Sequence, residues 1–313
     1  MGRVVTAVVI AAAAALWIAP SANAKKVPEC AGPVSIKKIS DSEKKLRSVI
    51  VGGGGRMYVS GRASEDDRMA RLWRIDRPGA EWVLLASGAG GPGGLAWKGR
   101  KLLWGVGSYD PYGIYGGPRP READILEVDP SNGKHSVLAH RVGSANGVAT
   151  LPDGSILASN SFLNSSNINR VSPRGWVERP WAEISTPSGM VIGKYGEYMY
   201  VTSHYSLPPK ISTVELDNPE NTTSWYQPSD EERKFSYFSG ITRDGENNFF
   251  VGAIGGVWKV RPGKKACVFE ISDTLGGVSF GRGAKGFQGR YLFAVGQGGG
   301  LYRISGASRA IVG

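Results

Sequence analysis

The chain has 313 residues, of which 45 are glycine, 18 proline and two cysteine. That length fits two average domains or one large all-β domain, and 41% apolar and 10% aromatic residues suffice for a core, so global disorder and a collagen-like repeat are excluded. Two cysteines exclude a disulfide-dense scaffold, three histidines leave little for a multi-histidine metal site, and a formal charge of +11 favours anionic partners at long range.

In chain order, residues 1–24 read as a secretory leader. Arg3 is the positive start, Val4 to Ala19 is apolar except for Thr6, and Ala22-Asn23-Ala24 is a small-x-small cleavage site followed by Lys25-Lys26. The alternative, an uncleaved anchor, has a run too short to span comfortably. Cleavage after Ala24 leaves a secreted or periplasmic chain, and removing Arg3 lowers the formal charge to +10. In an oxidising compartment Cys30 and Cys267 are either a pair or two thiols; a pair would close a very long loop, worth about 5 kcal/mol of chain entropy. Asn164-Ser165-Ser166 and Asn221-Thr222-Thr223 are glycosylation sequons, relevant in a eukaryotic host. Basic residues are scattered, in pairs such as Lys44-Lys45 and Lys264-Lys265, with no stretch interleaved with stacking aromatics. Nucleic acid is therefore not expected as a partner, nor is stable membrane insertion; the expectation is a monomer that takes a small molecule.

After the N-terminal segment 25–45, six copies of one pattern fill residues 46–313. They span 46–87, 91–140, 144–185, 186–227, 237–272 and 275–305. Each has a short apolar strand, a Gly-containing turn, an aromatic-rich strand, a variable loop and two further strands. Met57-Tyr58-Val59, Tyr198-Met199-Tyr200-Val201 and Tyr291-Leu292-Phe293-Ala294-Val295 are β-type runs, and Asp153-Gly154, Asp244-Gly245, Asn132-Gly133 and Arg174-Gly175 supply turns. No 15-residue stretch beyond the leader shows a helical apolar period. Repeats at this spacing predict an all-β fold, a six-bladed β-propeller with four-stranded blades; a sandwich array is the alternative. The sixth copy lacks an outer strand, which residues 33–39 would supply, closing the ring with N-terminal sequence. Cys30 would then lie beside the last blade and Cys267 in the outer strand of the one before, so the ring favours the disulfide. Gly52 to Gly55 form a hairpin turn, since no helix follows to make a nucleotide site.

The segments SANGVATLPDGSILASN, SGMVIGKYGEYMYVTS and SGITRDGENNFFVGAIGGVWKV, with the ending FGRGAKGFQGRYLFAVGQGGGLYRISG, resemble the six-bladed propellers of the gluconolactonase, senescence-marker-protein and strictosidine-synthase-like superfamily. The resemblance covers residues 46–306. It implies a hydrolase acting on a lactone or related ester at the channel mouth. The alternatives are a strictosidine-synthase-like non-hydrolytic enzyme, with Asp110 or Glu65 as the working carboxylate, and a propeller that binds without turnover. Hydrolytic members hold one calcium through a Glu entering the first inner strand and Asn or Asp entering later ones. Here the first position falls near Leu46 or Arg47, and the later ones are Asn146, Ser188 and Ser239. One amide and two hydroxyls are a weak set for a hard cation, so calcium, through Asn146, has little support.

Side chains entering the inner strands converge in such a fold, so Asn146, Ser188 and Ser239 are expected to bind substrate. Variable loops on the same face add Arg62 and, from residues 108–123, Tyr109, Tyr112, Tyr115 and Asp110, which read as a pocket wall with a carboxylate or as a Pro/Gly-rich insertion packed on a neighbour. His204 reads as a general base or as a loop histidine bonded to backbone. Arg62, Glu65 and Asp110 hold an anionic substrate or position water, or are solvated loop charges. Nucleophile-elbow, phosphate-loop and H-E-x-x-H motifs are absent from the sequence.

Overall fold

The computed structural model describes residues 27–108, 121–162, 165–203, 206, 208–229, 237–283 and 286–312. The expected leader lies outside the described residues. Among them there is no α-helix; the regular elements are strands and a 3-10 turn at Ala307–Arg309, and no helix is long and apolar enough to cross a membrane.

The first four repeats each make a four-stranded antiparallel sheet. These are β2 (Lys45–Val51) to β5 (Val83–Ala89), with β3 (Met57–Arg62) and β4 (Met69–Ile75) between them, then β6 (Gly91–Lys98), β7 (Lys101–Ser108), β8 (Asp124–Val128) and β9 (His135–Ala139). They are followed by β10 (Val148–Thr150), β11 (Ile156–Asn160), β12 (Asn167–Val171) and β13 (Val177–Ala182), then β14 (Pro187–Ile192), β15 (Tyr198–Ser203), β16 (Ile211–Glu215) and β17 (Thr222–Tyr226). Turn chemistry sets these meanders. Between β10 and β11, Asp153 Oδ1 accepts the Ser155 amide at 2.9 Å, and Gly154 takes φ 81°, a value costly for any residue with a Cβ.

The last two repeats depart from expectation. Hydrogen bonding joins them into one sheet of six strands, ordered β1 (Ser35–Ser40), β22 (Leu301–Ser305), β21 (Tyr291–Gly296), β20 (Ala266–Phe280), β19 (Phe249–Val260) and β18 (Ile241–Arg243). The propeller therefore has five sheets, not six separate ones. The cause is the continuity of two long strands. The first part of β19 pairs with β18 (Ile241↔Val251) and its second part with β20 (Trp258↔Val268), while β20 runs on to pair with β21 (Val278↔Ala294). This sheet packs on itself: Phe250, Val257 and Phe269 of one half meet Val278, Leu292 and Tyr302 of the other.

N-terminal β1 is the outer strand of that sheet, in register Ile36↔Ile304 with β22. Closure follows from packing: Leu46, Val49, Met57 and Trp73 of the first sheet share an apolar seam with Phe287, Phe293 and Val295 of the last. Two devices tie the chain ends to this sheet. Cys30 and Cys267 form a disulfide across a sequence separation of 237. Lys259, 2% exposed, donates from Nζ to the carbonyls of Ala307 (3.2 Å), Ser308 (2.7 Å) and Ala310 (3.0 Å). Burial pushes the Lys259 ammonium below the ordinary lysine range, and those three carbonyls are what keep the head group hydrogen-bonded inside.

Candidate functional site

The inner segments β2, β6, β10, β14, β18 and the second half of β20 neighbour one another in a closed cycle. Their approach is backbone to backbone. A β-carbon on Gly147 would stand 1.9 Å from the Ser188 carbonyl oxygen, and one on Gly189 2.5 Å from that of Ser239, so only glycine lets adjacent strands meet this closely. The same packing brings Gly94 against Asn146, Gly240 against Gly276 and Gly277 against Ser48. The residues immediately before these packing positions therefore share one end of the cycle: Arg47, Gly93, Asn146, Ser188, Ser239 and Gly276.

Hydroxyl groups on the second strands stitch this end together. Ser60 Oγ donates to the Gly93 carbonyl at 2.7 Å, Thr202 Oγ1 to the Ser239 carbonyl, and Ser159 Oγ accepts the Gly147 amide at 2.8 Å; all three residues are fully buried. Asn146 is aimed by a relay: its Nδ2 donates to Ser161 Oγ (2.6 Å), Ser161 and Ser144 share a hydroxyl bond of 2.8 Å, and Ser144 Oγ reaches the Ser159 carbonyl at 3.2 Å. No described residue takes the Asn146 Oδ1, which leaves that acceptor for a ligand. Ala145 and Thr186, just ahead of Asn146 and Ser188, both hold φ 46°, a strained value for a residue with a side chain and more so for β-branched Thr.

Arg47 is the cation of this end. Its Nη1 donates to Ser239 Oγ at 3.4 Å, spanning the cycle past Gly276. Ser188 and Ser239 are buried, whereas Arg47 and Asn146 keep part of their surface open. Among the described residues no carboxylate is paired with Arg47. Nearby acids are already engaged: Glu65 pairs with Lys45 at 3.1 Å and Asp67 with Arg71 at 3.1 Å. Asp67 is held below the usual carboxylate range, first by the Met69 amide and also by Arg71 and the Ala63 amide. Arg62 stands opposite Lys45 in the β2–β3 register, at the same end of the first sheet.

The structure thus brings together Asn146, Ser188 and Ser239 as expected, and places Arg62 at the same end. Tyr109, Tyr112, Asp110 and His204 lie outside the described residues. Arg47, which the sequence offers only as the place where a carboxylate is lacking, emerges as a central polar group. The signal was present: Arg47-Ser48-Val49 aligns with Asn146-Gly147-Val148 and Ser188-Gly189-Met190. The serine relay behind Asn146 had no comparable signal, since Ser161 belongs to a variable loop.

Calcium takes about six to eight oxygen ligands, usually with carboxylates among them. This end offers one amide, two hydroxyls and a guanidinium, and among the described residues no group of three or more His, Cys, Asp or Glu gathers anywhere. These residues do not by themselves fit a calcium ion. A separate concavity of about 390 Å³ at the opposite end of the third sheet is lined by Asp153, Arg170, Trp176 and Glu178. Its Arg170 is taken up by Asp153 at 2.5 Å and Ser155 at 3.1 Å, so it presents no free cation to a ligand.

No family model and no curated protein matches the chain. Solved structures do. A gluconolactonase of Xanthomonas campestris is 14% identical with a TM-score of 0.69, over 90% of this chain and 95% of that one. A calcium-binding regucalcin of Agrobacterium tumefaciens is 15% identical with a TM-score of 0.63, over 89% and 95%. A luciferin-regenerating enzyme is 11% identical with a TM-score of 0.64, over 88% and 96%. The fold is therefore a β-propeller like those of these three proteins.

Proposed function

We propose that the protein is exported and hydrolyses a small lactone or related ester at the mouth of the propeller's central channel, without a metal. One observation carries this reading: Arg47, Asn146, Ser188 and Ser239, far apart in sequence, meet at one end of the inner strands, with Arg47 bonded to Ser239. Hydrolysis of a lactone develops negative charge on the carbonyl oxygen, and a pre-set guanidinium beside a hydroxyl is suited to stabilise it. Asn146, locked by Ser161 and Ser144, orients the substrate. His204 is the general base of this reading, because an imidazole titrates near neutrality. The likeness to a gluconolactonase supports the class of reaction by analogy.

The test is proton release on a broad lactone and ester panel, with and without chelator, by the wild type, Asn146→Ala and His204→Gln. Turnover that survives chelation and falls in both variants supports the reading; no turnover on any member overturns it. Export is tested by N-terminal sequencing of the secreted protein, which should begin at Lys25. A second reading, binding without turnover, is favoured by Arg47, Ser188 and Ser239 standing where the resembled hydrolytic propellers carry metal-binding acids or amides. A ligand recovered unchanged after long incubation would support it.

A further inference from the structure

We infer that the mouth of the inner-strand cycle is a carboxylate-binding site, with Arg47 as its anchor, where a divalent cation would otherwise sit. The inference rests on the proposed location of the site, not on turnover. Three observations carry it. First, the six entry positions are Arg47, Gly93, Asn146, Ser188, Ser239 and Gly276, so the only formal charge they place there is positive.

Second, among the described residues no carboxylate pairs with Arg47, and Glu65 and Asp67 of the adjoining loop are engaged by Lys45 and Arg71. A partly open guanidinium is weakly hydrated and presents planar donors matched to a carboxylate fork. Third, the site is built rather than incidental. Ser239 Oγ accepts from Arg47 and so has its own proton to donate, which sets a hydroxyl beside the guanidinium. Ser203 Oγ, buried at the end of β15, has no partner among the described residues. Asn146 is fixed by its serine relay, with Oδ1 left to accept a substrate hydroxyl.

The ligand class that satisfies this set is a small hydroxy-carboxylate: the acid group on Arg47 and Ser239, a hydroxyl on Asn146. Opening a hydroxy-acid lactone with water yields a hydroxy-carboxylate, so the site would hold the product of the proposed reaction. The same guanidinium repels calcium from the place where a carboxylate would have recruited it.

The experiment is calorimetric titration of the full secreted chain with sodium gluconate, sodium lactate and calcium chloride separately, at low ionic strength. Wild type, Arg47→Gln, Arg47→Lys and Arg47→Glu are compared, each checked for an unchanged melting curve. The expected result is one gluconate site, weakened about ten- to a hundredfold in Arg47→Gln and less in Arg47→Lys, with no calcium heat in wild type. Arg47→Glu should lose gluconate binding and gain affinity for calcium. Stoichiometric calcium binding by wild type, no binding of either acid, or acid binding indifferent to Arg47→Gln would each overturn the inference. Should the Arg47 variants fail to fold, Asn146→Asp serves: its added negative charge at the same site should weaken both acids, and gluconate and lactate binding unchanged in this variant would overturn the inference. Carboxylate binding without lactone turnover would leave the site standing while removing the hydrolase reading.

Discussion

The closeness of adjacent inner strands makes Gly147→Ala a sharp probe of the architecture. A β-carbon there would lie 1.9 Å from the Ser188 carbonyl oxygen and 3.0 Å from its carbon. Ordinary contact begins near 3.4 Å, so the two strands must part by about 1.5 Å, the difference between those distances. The obstacle is backbone, which cannot swing away as a side-chain tip would, and that backbone also carries the Ser188 entry position. Overpacking of this kind costs about 1–3 kcal/mol, and the rigid setting puts Gly147 at the upper end. The lost freedom of the unfolded chain returns about 0.4–1 kcal/mol, which leaves a net cost near 2 kcal/mol. For a chain of this size that lowers the melting temperature by about 3 °C. The control is Gly53→Ala in the first hairpin turn, where nothing lies within 4 Å of the added carbon. Thermal and urea unfolding followed by tryptophan fluorescence compares the two. Equal midpoints for both variants would refute the idea that backbone contact between inner strands closes the cycle.

Phe293→Ala, in the seam that joins the last sheet to the first, should cost about 3–5 kcal/mol by the same assay. Reducing the Cys30–Cys267 bond should remove up to about 5 kcal/mol, seen as an earlier urea midpoint with reductant than without. Lys259→Met keeps the packing volume but strips three carbonyls, two of them buried, of their donor, at about 2–3 kcal/mol, and limited proteolysis should then trim the tail beyond Ala307. Burial, with Asp273 beside it, pushes the Tyr302 phenol up to about 12. Its neutral form is favoured in the folded state, so this contribution is whole below pH 10 and is lost as pH rises from about 10 to 12. Tyr302→Phe should flatten that alkaline decline in denaturant midpoints.

The repeat was legible because each copy carries the same sequence of turn, apolar strand and glycine, and the structure returns strands at Met57, Tyr198 and Tyr291 as read. The N-terminal closing strand and the disulfide followed from counting strands and placing cysteines on the ring. The count of separate sheets did not follow. Nothing in FFVGAIGGVWKV or ACVFEISDTLGGVSF marks whether the ladder breaks between copies, since that depends on backbone continuity through Ile254 and Thr274. Asn146, Ser188 and Ser239 could be placed at one end of the cycle because they hold matching strand-entry positions, each just before a glycine. Arg47 was seen as a lack rather than a group, because its copy has Ser48 in place of the glycine that aligns the others. The second-strand hydroxyls Ser60, Ser159 and Thr202 look like ordinary strand residues until the neighbouring sheet is in place.

The central claim is that convergence of the inner strands makes an Arg47-centred site for a hydroxy-carboxylate. A crystal structure of the secreted chain soaked in sodium gluconate tests it directly. The account places the carboxylate oxygens within hydrogen-bond distance of the Arg47 guanidinium and a sugar-acid hydroxyl on Asn146. Gluconate bound elsewhere, or a calcium ion seated among residues 146, 188 and 239, would contradict it.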